Sequence, residues 1–300
     1  MRSLDDEILK ASPMCDAEGS TLTFSEAKNT VVGRREAPIG VFDSGAGGLT
    51  ILSALREELP QENYIYFGDT AHVPYGVRSE AEIIELSLAA NRFLIDQGVK
   101  LIVVACNTAS QAALTALRNT FSIPFVGVVP AVKPAARVTK SGRIGIAATN
   151  RAIKAAYLHH LIKDFAAGTQ VFTVGCPELV TLVEHGELDG PVVEETLQYV
   201  LQPLFSKDVD VIVLGCTHFP AMRSAIERVA GKHVQVIDSG LAVARRTHDV
   251  LVDKAITRPV SGDCVLQGNV QVWCSGDAAG FSAVASKVLG YSVIAQQVMP

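Results

Sequence analysis

Leu101-Ile-Val-Val-Ala-Cys106-Asn107-Thr108 is an apolar run without polar alternation that ends in a small residue, a cysteine and two polar side chains. Val211-Ile-Val-Leu-Gly-Cys216-Thr217-His218 repeats the plan. A run of this kind reads as a strand buried on both faces, as in a parallel sheet. Each cysteine then falls at the carboxyl edge of its sheet, where open α/β sheets bind ligands. Two such strand ends predict two thiols meeting across one cleft. That geometry suits moving a proton from one face of a carbon to the other.

Outward from these runs, the pattern from Pro38 onward is strand, loop, helix, repeated. Residues 39–42, 64–67, 101–105 and 125–129 read as one series of strands. Residues 144–147, 171–174, 211–214 and 234–237 read as a second. Helical spacing lies between them, and Ser79 with Glu82 forms a capping box opening a helix that runs toward Gly98. The expected fold is α/β, with two similar domains of mostly parallel sheet flanked by helices and the active site in the cleft between them. The expected division is 37–130 plus 241–300 for the first domain and 131–240 for the second, with Pro130-Ala-Val-Lys-Pro134 as a crossover. A strand at 270–273 and a helix at 278–289 are expected to return to the first domain. Gly268-Asn269 is expected to turn a terminal hairpin. Residues 1–36 are acidic and poor in large apolar side chains, and read as an extension, disordered or regulatory. They lack the basic and apolar regions of a secretory signal.

The 300 residues are 48% apolar and 19% charged, enough for two substantial cores. A net charge of −5 gives no support for nucleic acid or an anionic membrane as a main partner. No apolar run approaches the roughly eighteen residues of a membrane span. Six cysteines spread along a long chain suit free thiols in a reducing cytoplasm better than a secreted disulfide framework.

For an arbitrary cysteine, a small buried hydrophobe is the better account, and it suits Cys15, Cys264 and Cys274. The matched strand-end contexts set Cys106 and Cys216 apart. A model thiol is only about 3% thiolate at neutral pH, and a helix N-terminus or donors beside the sulfur raise that fraction. Asn107-Thr108 and Thr217-His218 sit where helices are expected to begin. Asn107, Thr108 and Thr217 serve equally as N-caps or as a carboxylate site. Ile39-Gly-Val-Phe-Asp43-Ser44-Gly45-Ala46-Gly47-Gly48 ends a strand in a carboxylate, a hydroxyl and a glycine turn. It lacks a Walker A ending, and Asp43 fits accepting a hydrogen bond from a substrate ammonium. Val73-Pro74-Tyr75-Gly76 is a plain turn or a loop that closes over a ligand with backbone and phenol. Glu184 alone is solvated surface unless it reaches Cys216 or His218. A metal site built on Cys216 and His218 lacks supporting ligand spacing, and zinc would silence the bases.

Together, Phe42-Asp-Ser-Gly45, Gly68-Asp-Thr-Ala71, Val73-Pro-Tyr-Gly76, Ala105-Cys-Asn-Thr-Ala109, Cys176-Pro177 with Leu182-Val-Glu184, Leu214-Gly-Cys-Thr-His218 and Ile237-Asp-Ser-Gly240 resemble the glutamate racemases of the cofactor-independent aspartate/glutamate racemase superfamily. The resemblance implies an isomerase that interconverts L- and D-glutamate without cofactor or metal, supplying D-glutamate for peptidoglycan in the cytoplasm. It implies that Cys106 and Cys216 are the catalytic pair. Asp43, Ser44, Tyr75, Gly76, Asn107, Thr108, Thr217 and His218 match substrate-binding positions. Asp43 matches the carboxylate near the first thiol, and Glu184 with His218 the groups near the second. A peptidoglycan-precursor nucleotide as activator and a homodimer are partners the resemblance leaves open. The chain departs from the pattern at Thr149-Asn-Arg-Ala-Ile153, which lacks a Gly-Thr pair, and at His72, where arginine is frequent. Aspartate racemase remains a rival, since one methylene changes binding by only about 1–3 kcal/mol. A non-catalytic two-domain amino-acid binder shares the architecture.

Overall fold

A computed structural model of the chain describes residues 31–259 and 267–300. Six parallel strands form one sheet in the order β10-β9-β2-β1-β3-β4, and four form another in the order β6-β5-β7-β8. In chain order the strands are β1 (Ile39–Asp43), β2 (Tyr64–Gly68), β3 (Leu101–Val104), β4 (Phe125–Gly127), β5 (Arg143–Ala148), β6 (Gln170–Gly175), β7 (Val211–Leu214), β8 (Gln235–Ile237), β9 (Val270–Cys274) and β10 (Ala295–Gln297). Every pairing is parallel.

Strand parity explains the layers. Ile39, Val41, Leu101 and Val103 face the helices Leu49–Glu58, Gly240–Asp253 and Ala278–Leu289. Phe42, Ile102 and Val104 face Glu80–Asp96 and Asn107–Thr120 on the other side. In the second sheet Ile212 and Leu214 face Pro177–Glu184, Pro191–Phe205 and Arg223–Ala230, while Val211 and Val213 face Val132–Val138 and Ala156–Phe165. With side chains packed on both faces, alternation has nothing polar to show, so the strands read as continuous apolar runs. Each such side chain, once fully buried, contributes about 1.5–3 kcal/mol.

The topology also places the ligand crevices. In the first sheet the chain goes one way from β1 to β2 and the other way to β3. This switch point lies at the carboxyl ends of β1 and β3. The second sheet has its switch between β5 and β7. The capping box is present, with the Ser79 side chain accepting from Glu82 N–H and Glu82 reaching back to the Ser79 amide.

The C-terminal segment corrects one expectation. Gly268-Asn269 does not turn a hairpin, because the Asn269 carbonyl accepts from Tyr64 N–H at 2.8 Å and starts β9 parallel to β2. The chain reaches β10 only after crossing over through Ala278–Leu289. Of the N-terminal extension, residues 1–30 with Cys15 lie outside the described residues, as does Cys264. Val31–Glu36 is helical, and the Arg35 carbonyl accepts from Lys100 Nζ at 2.7 Å. Among the described residues, no helix is long and apolar enough to cross a membrane.

Candidate active site

Both cysteines stand two residues past the end of their strand, so each keeps its strand's parity. Cys106 continues the face of Ile102 and Val104, and Cys216 that of Ile212 and Leu214. They come from different sheets yet line one cavity of about 260 Å³. All the other site residues expected from the sequence line it too, except the buried Asp43 and the partly buried Glu184, which stand behind its wall.

Cys106 caps the helix Asn107–Thr120, its sulfur accepting from the Ala109 amide at 3.4 Å and lying 3.5 Å from Ser44 Oγ. Burial and the nearby Asp43 carboxylate push this thiol up to about 12, against the pull of those two hydrogen bonds. Asp43 is fully buried at the end of β1, and burial raises its carboxyl above the usual range despite His218 and two donors. Those donors are Gly45 N–H at 2.8 Å and Thr217 Oγ1 at 3.1 Å. Asp43 is thus tied to the loop of the second thiol while its charge acts on the first. One helical position on, the Asn107 carboxamide oxygen is buried with no protein partner, an acceptor placed on the cavity wall.

The surroundings of Cys216 differ from expectation. No α-helix begins at Thr217-His218; a short 3-10 turn follows at Phe219–Met222, with Pro220 in it, and Arg223–Ala230 comes after. Instead of a helix N-terminus, the sulfur faces His218 Nδ1 at 3.6 Å. His218 Nε2 sits 2.5 Å from Glu184 Oε1, which also accepts from the Ala46 amide at 2.8 Å. Burial opposes a charged imidazole here, but Cys216 and Glu184 outweigh it and hold His218 well above its ordinary value. For Glu184, burial is likewise overcome by His218 and Ala46, and the carboxyl lies below its usual range. The two form a largely buried imidazolium–carboxylate pair behind the second sulfur.

The glycine turn after β1 makes room for this pair. A Cβ on Gly45 would lie 2.0 Å from Glu184 Oε1, and one on Gly47 would lie 2.4 Å from His218 Nδ1. On Gly48 it would lie 2.5 Å from the Asp43 Cβ. Close approach, not a positive φ, is what these positions demand. Thr50 Oγ1 lies 2.9 Å from the carbonyls of both Gly47 and Thr217, joining the same two loops.

Tyr75 does not offer its phenol to the cavity. Its hydroxyl donates to Asp69 Oδ2 at 2.6 Å, while Asp69 Oδ1 holds Ser275 Oγ at 2.7 Å and His72 Nδ1 at 2.8 Å. Val73, Pro74, Gly76 and Val77 of the same loop line the cavity with Tyr75. Gly76 abuts Thr149, where an added Cβ would come within 3.3 Å. Thr149 Oγ1 lies 3.3 Å from Thr108 Oγ1 across the cleft. Sequence reasoning passed over Thr50, Thr181 and Asn150, although the last two line the cavity. For Asn150 the available signal was an amide two residues past the end of β5; Thr50 and Thr181 lie inside helices and gave none.

Two thiols from separate sheets line one cavity, an arrangement suited to acid–base chemistry on a small ligand. Residues 49–247 match the Asp/Glu/Hydantoin racemase family. A glutamate racemase of Herpetosiphon aurantiacus is 44% identical over 250 residues, covering 83% of this chain and 97% of that protein. The crystal structure of a glutamate racemase isoform from Bacillus anthracis superposes with a TM-score of 0.77 at 34% identity, covering 88% of this chain and 98% of that one. An Escherichia coli glutamate racemase, solved with L-glutamate and the activator UDP-MurNAc-Ala, gives 0.75 at 36% identity over 88% of this chain and 100% of that one. The chain belongs to the Asp/Glu/Hydantoin racemase family, and within it to the glutamate racemases.

Proposed function

We propose that the protein interconverts L- and D-glutamate by a two-base proton transfer between Cys106 and Cys216. The observation that carries this reading is that two thiols from two sheets share one cavity, each with its own polar support. One thiolate removes the α-proton, the released electron pair spreads into the substrate carboxylate, and the opposite thiol delivers its proton to the other face. Burial and the Asp43 carboxylate favour the protonated thiol at Cys106, which equips it as the proton donor. Cys216, whose sulfur faces His218 with Glu184 behind it, is the base in this direction. The roles exchange in the reverse direction.

The carboxylate carrying the developing charge belongs at the amino end of Asn107–Thr120, where the amides and Thr108 donate to it. The ammonium belongs beside Ser44 and the unpartnered Asn107 oxygen, with the Asp43 carboxyl behind them. Residues 37–130 with 241–300 and residues 131–240 act as two domains that close over the substrate. The product serves peptidoglycan synthesis in the cytoplasm, and a peptidoglycan-precursor nucleotide and a homodimer are the partners to test.

The test replaces each cysteine with alanine and follows conversion of both enantiomers, with deuterium exchange at Cα, on glutamate and on aspartate. Loss of racemisation in each single variant, with glutamate preferred, is expected. Either variant racemising near the parent rate would overturn the two-base reading.

A further inference from the structure

Arg151 lies in the short helix Asn150–Lys154 that follows β5, on the second-sheet side of the cleft. Its guanidinium reaches across to the first-sheet side, beside the loop that lines the cavity. Nη1 donates to the Arg78 carbonyl at 3.1 Å, and Nη2 donates to Glu80 Oε2 at 3.3 Å. Arg78 directly follows the 3-10 turn Tyr75–Val77 that carries Tyr75 and Gly76 into the cavity wall. Its own Nε donates to the His72 carbonyl at 2.6 Å, drawing together the two ends of that loop. Val77 at the tip is 79% exposed, so apolar burial does little to hold this part of the loop down.

We infer that Arg151 is a positioning residue, a latch that grips the 73–78 loop at its downstream end and keeps Gly76 against the substrate cavity. A planar guanidinium suits this task, because it reaches a backbone carbonyl and a carboxylate at once. The pair is partly solvated, with side-chain exposures of 28% and 67%, so it opens at little cost. That suits a mouth that must release product at every turnover. The carbonyl contact holds the loop itself, while Glu80 at the head of Glu80–Asp96 anchors the latch to the rigid helix behind.

The inference rests on the reading of the cavity as the glutamate site, and two independent measurements separate their fates. In the full chain, Arg151→Ala and Glu80→Ala are compared singly and together. Amide hydrogen exchange of the segment 72–79 without ligand is expected to quicken in each variant, and the double variant to add little to Arg151→Ala. Racemisation of glutamate is expected to show KM raised about twofold to fivefold with kcat within twofold, since a less populated closed form lowers apparent affinity by that fraction. Arg151→Lys, keeping one donor reach, is expected to fall between. Unchanged exchange in Arg151→Ala overturns the latch, as does a loss confined to kcat with a lowered melting temperature. Additive effects of the two substitutions would overturn it as well. A parent without glutamate racemisation would sink the functional reading alone, and the exchange data would still decide the latch.

Discussion

His218 and Glu184, thirty-four positions apart in the chain, meet at 2.5 Å directly behind the Cys216 sulfur. The carboxylate keeps the imidazole charged well above its ordinary value. Glu184→Gln removes that support, so the ring is expected to lose its proton at lower pH. The alkaline limb of the kcat profile then moves toward neutrality and kcat falls about a hundredfold, in the range of lost acid–base assistance. Profiles in both directions check this, and an unmoved alkaline limb would count against it.

Cys106 is pushed up to about 12 by burial and by Asp43. In the empty enzyme it is therefore expected to resist alkylation through neutral pH, protonated and shielded. Asp43→Asn removes the raising charge, so its alkylation, followed by mass spectrometry, sets in at lower pH than in the parent.

Asp43 carries a sign that opposes the ion pair. Its folded-state carboxyl is raised above 3.8. Its contribution is present below that pH and is lost as pH rises through the raised value, so the charged form burdens the fold at neutrality. Asp43→Asn is expected to raise the neutral-pH melting temperature while cutting activity. For His218 the raised value means stability present below about 6.5 and lost as pH climbs through its folded value. Glu184, lowered, stabilises above about 4.3 and stops doing so as pH falls through its folded value. The melting temperature of Glu184→Gln is expected to depend less on pH outside that window.

Gly47→Ala places a methyl where the His218 ring stands. The ring must leave the Cys216 sulfur, and a displacement near 1 Å is expected to lower kcat about a hundredfold. Retention of near-parent kcat would show that the ring does not need this seat.

Far from the cavity, Lys100 and Glu62 pair in the core with side-chain exposures of 2% and 0%. Glu62 Oε1 also accepts the Arg258 amide at 2.9 Å. Lys100→Met leaves a buried carboxylate short of its partner, and about 3–5 kcal/mol of stability is expected to go with kcat unchanged. Chemical denaturation measures it.

Much of the architecture was legible because parallel strands buried on both faces leave an unmistakable apolar run, and because a side chain two positions past Val104 or Leu214 inherits its strand's direction. The two thiols followed from that rule alone. Cys216 was misread locally, since Pro220 and a 3-10 turn occupy the place where an α-helix would have offered its amides. The Glu184–His218 contact could not be derived from spacing, only carried over by resemblance, because it depends on how the helix Pro177–Glu184 packs beside the loop that follows β7. Tyr75 turned out bound to Asp69, six residues away, since loop direction is invisible to periodicity. The hairpin at Gly268-Asn269 was misjudged because the pair has hairpin chemistry, whereas the Tyr64–Asn269 bond starts β9 parallel to β2.

The carboxylate that serves the second sulfur rests on the Ala46 amide, which belongs to the opposite sheet's glycine turn. Drawing the two halves apart takes Glu184 off that amide and His218 out of the hollow beside Gly47. On the proposed two-base reading, the support behind Cys216 is complete only while the two halves are together, so parting them would also disarm that base.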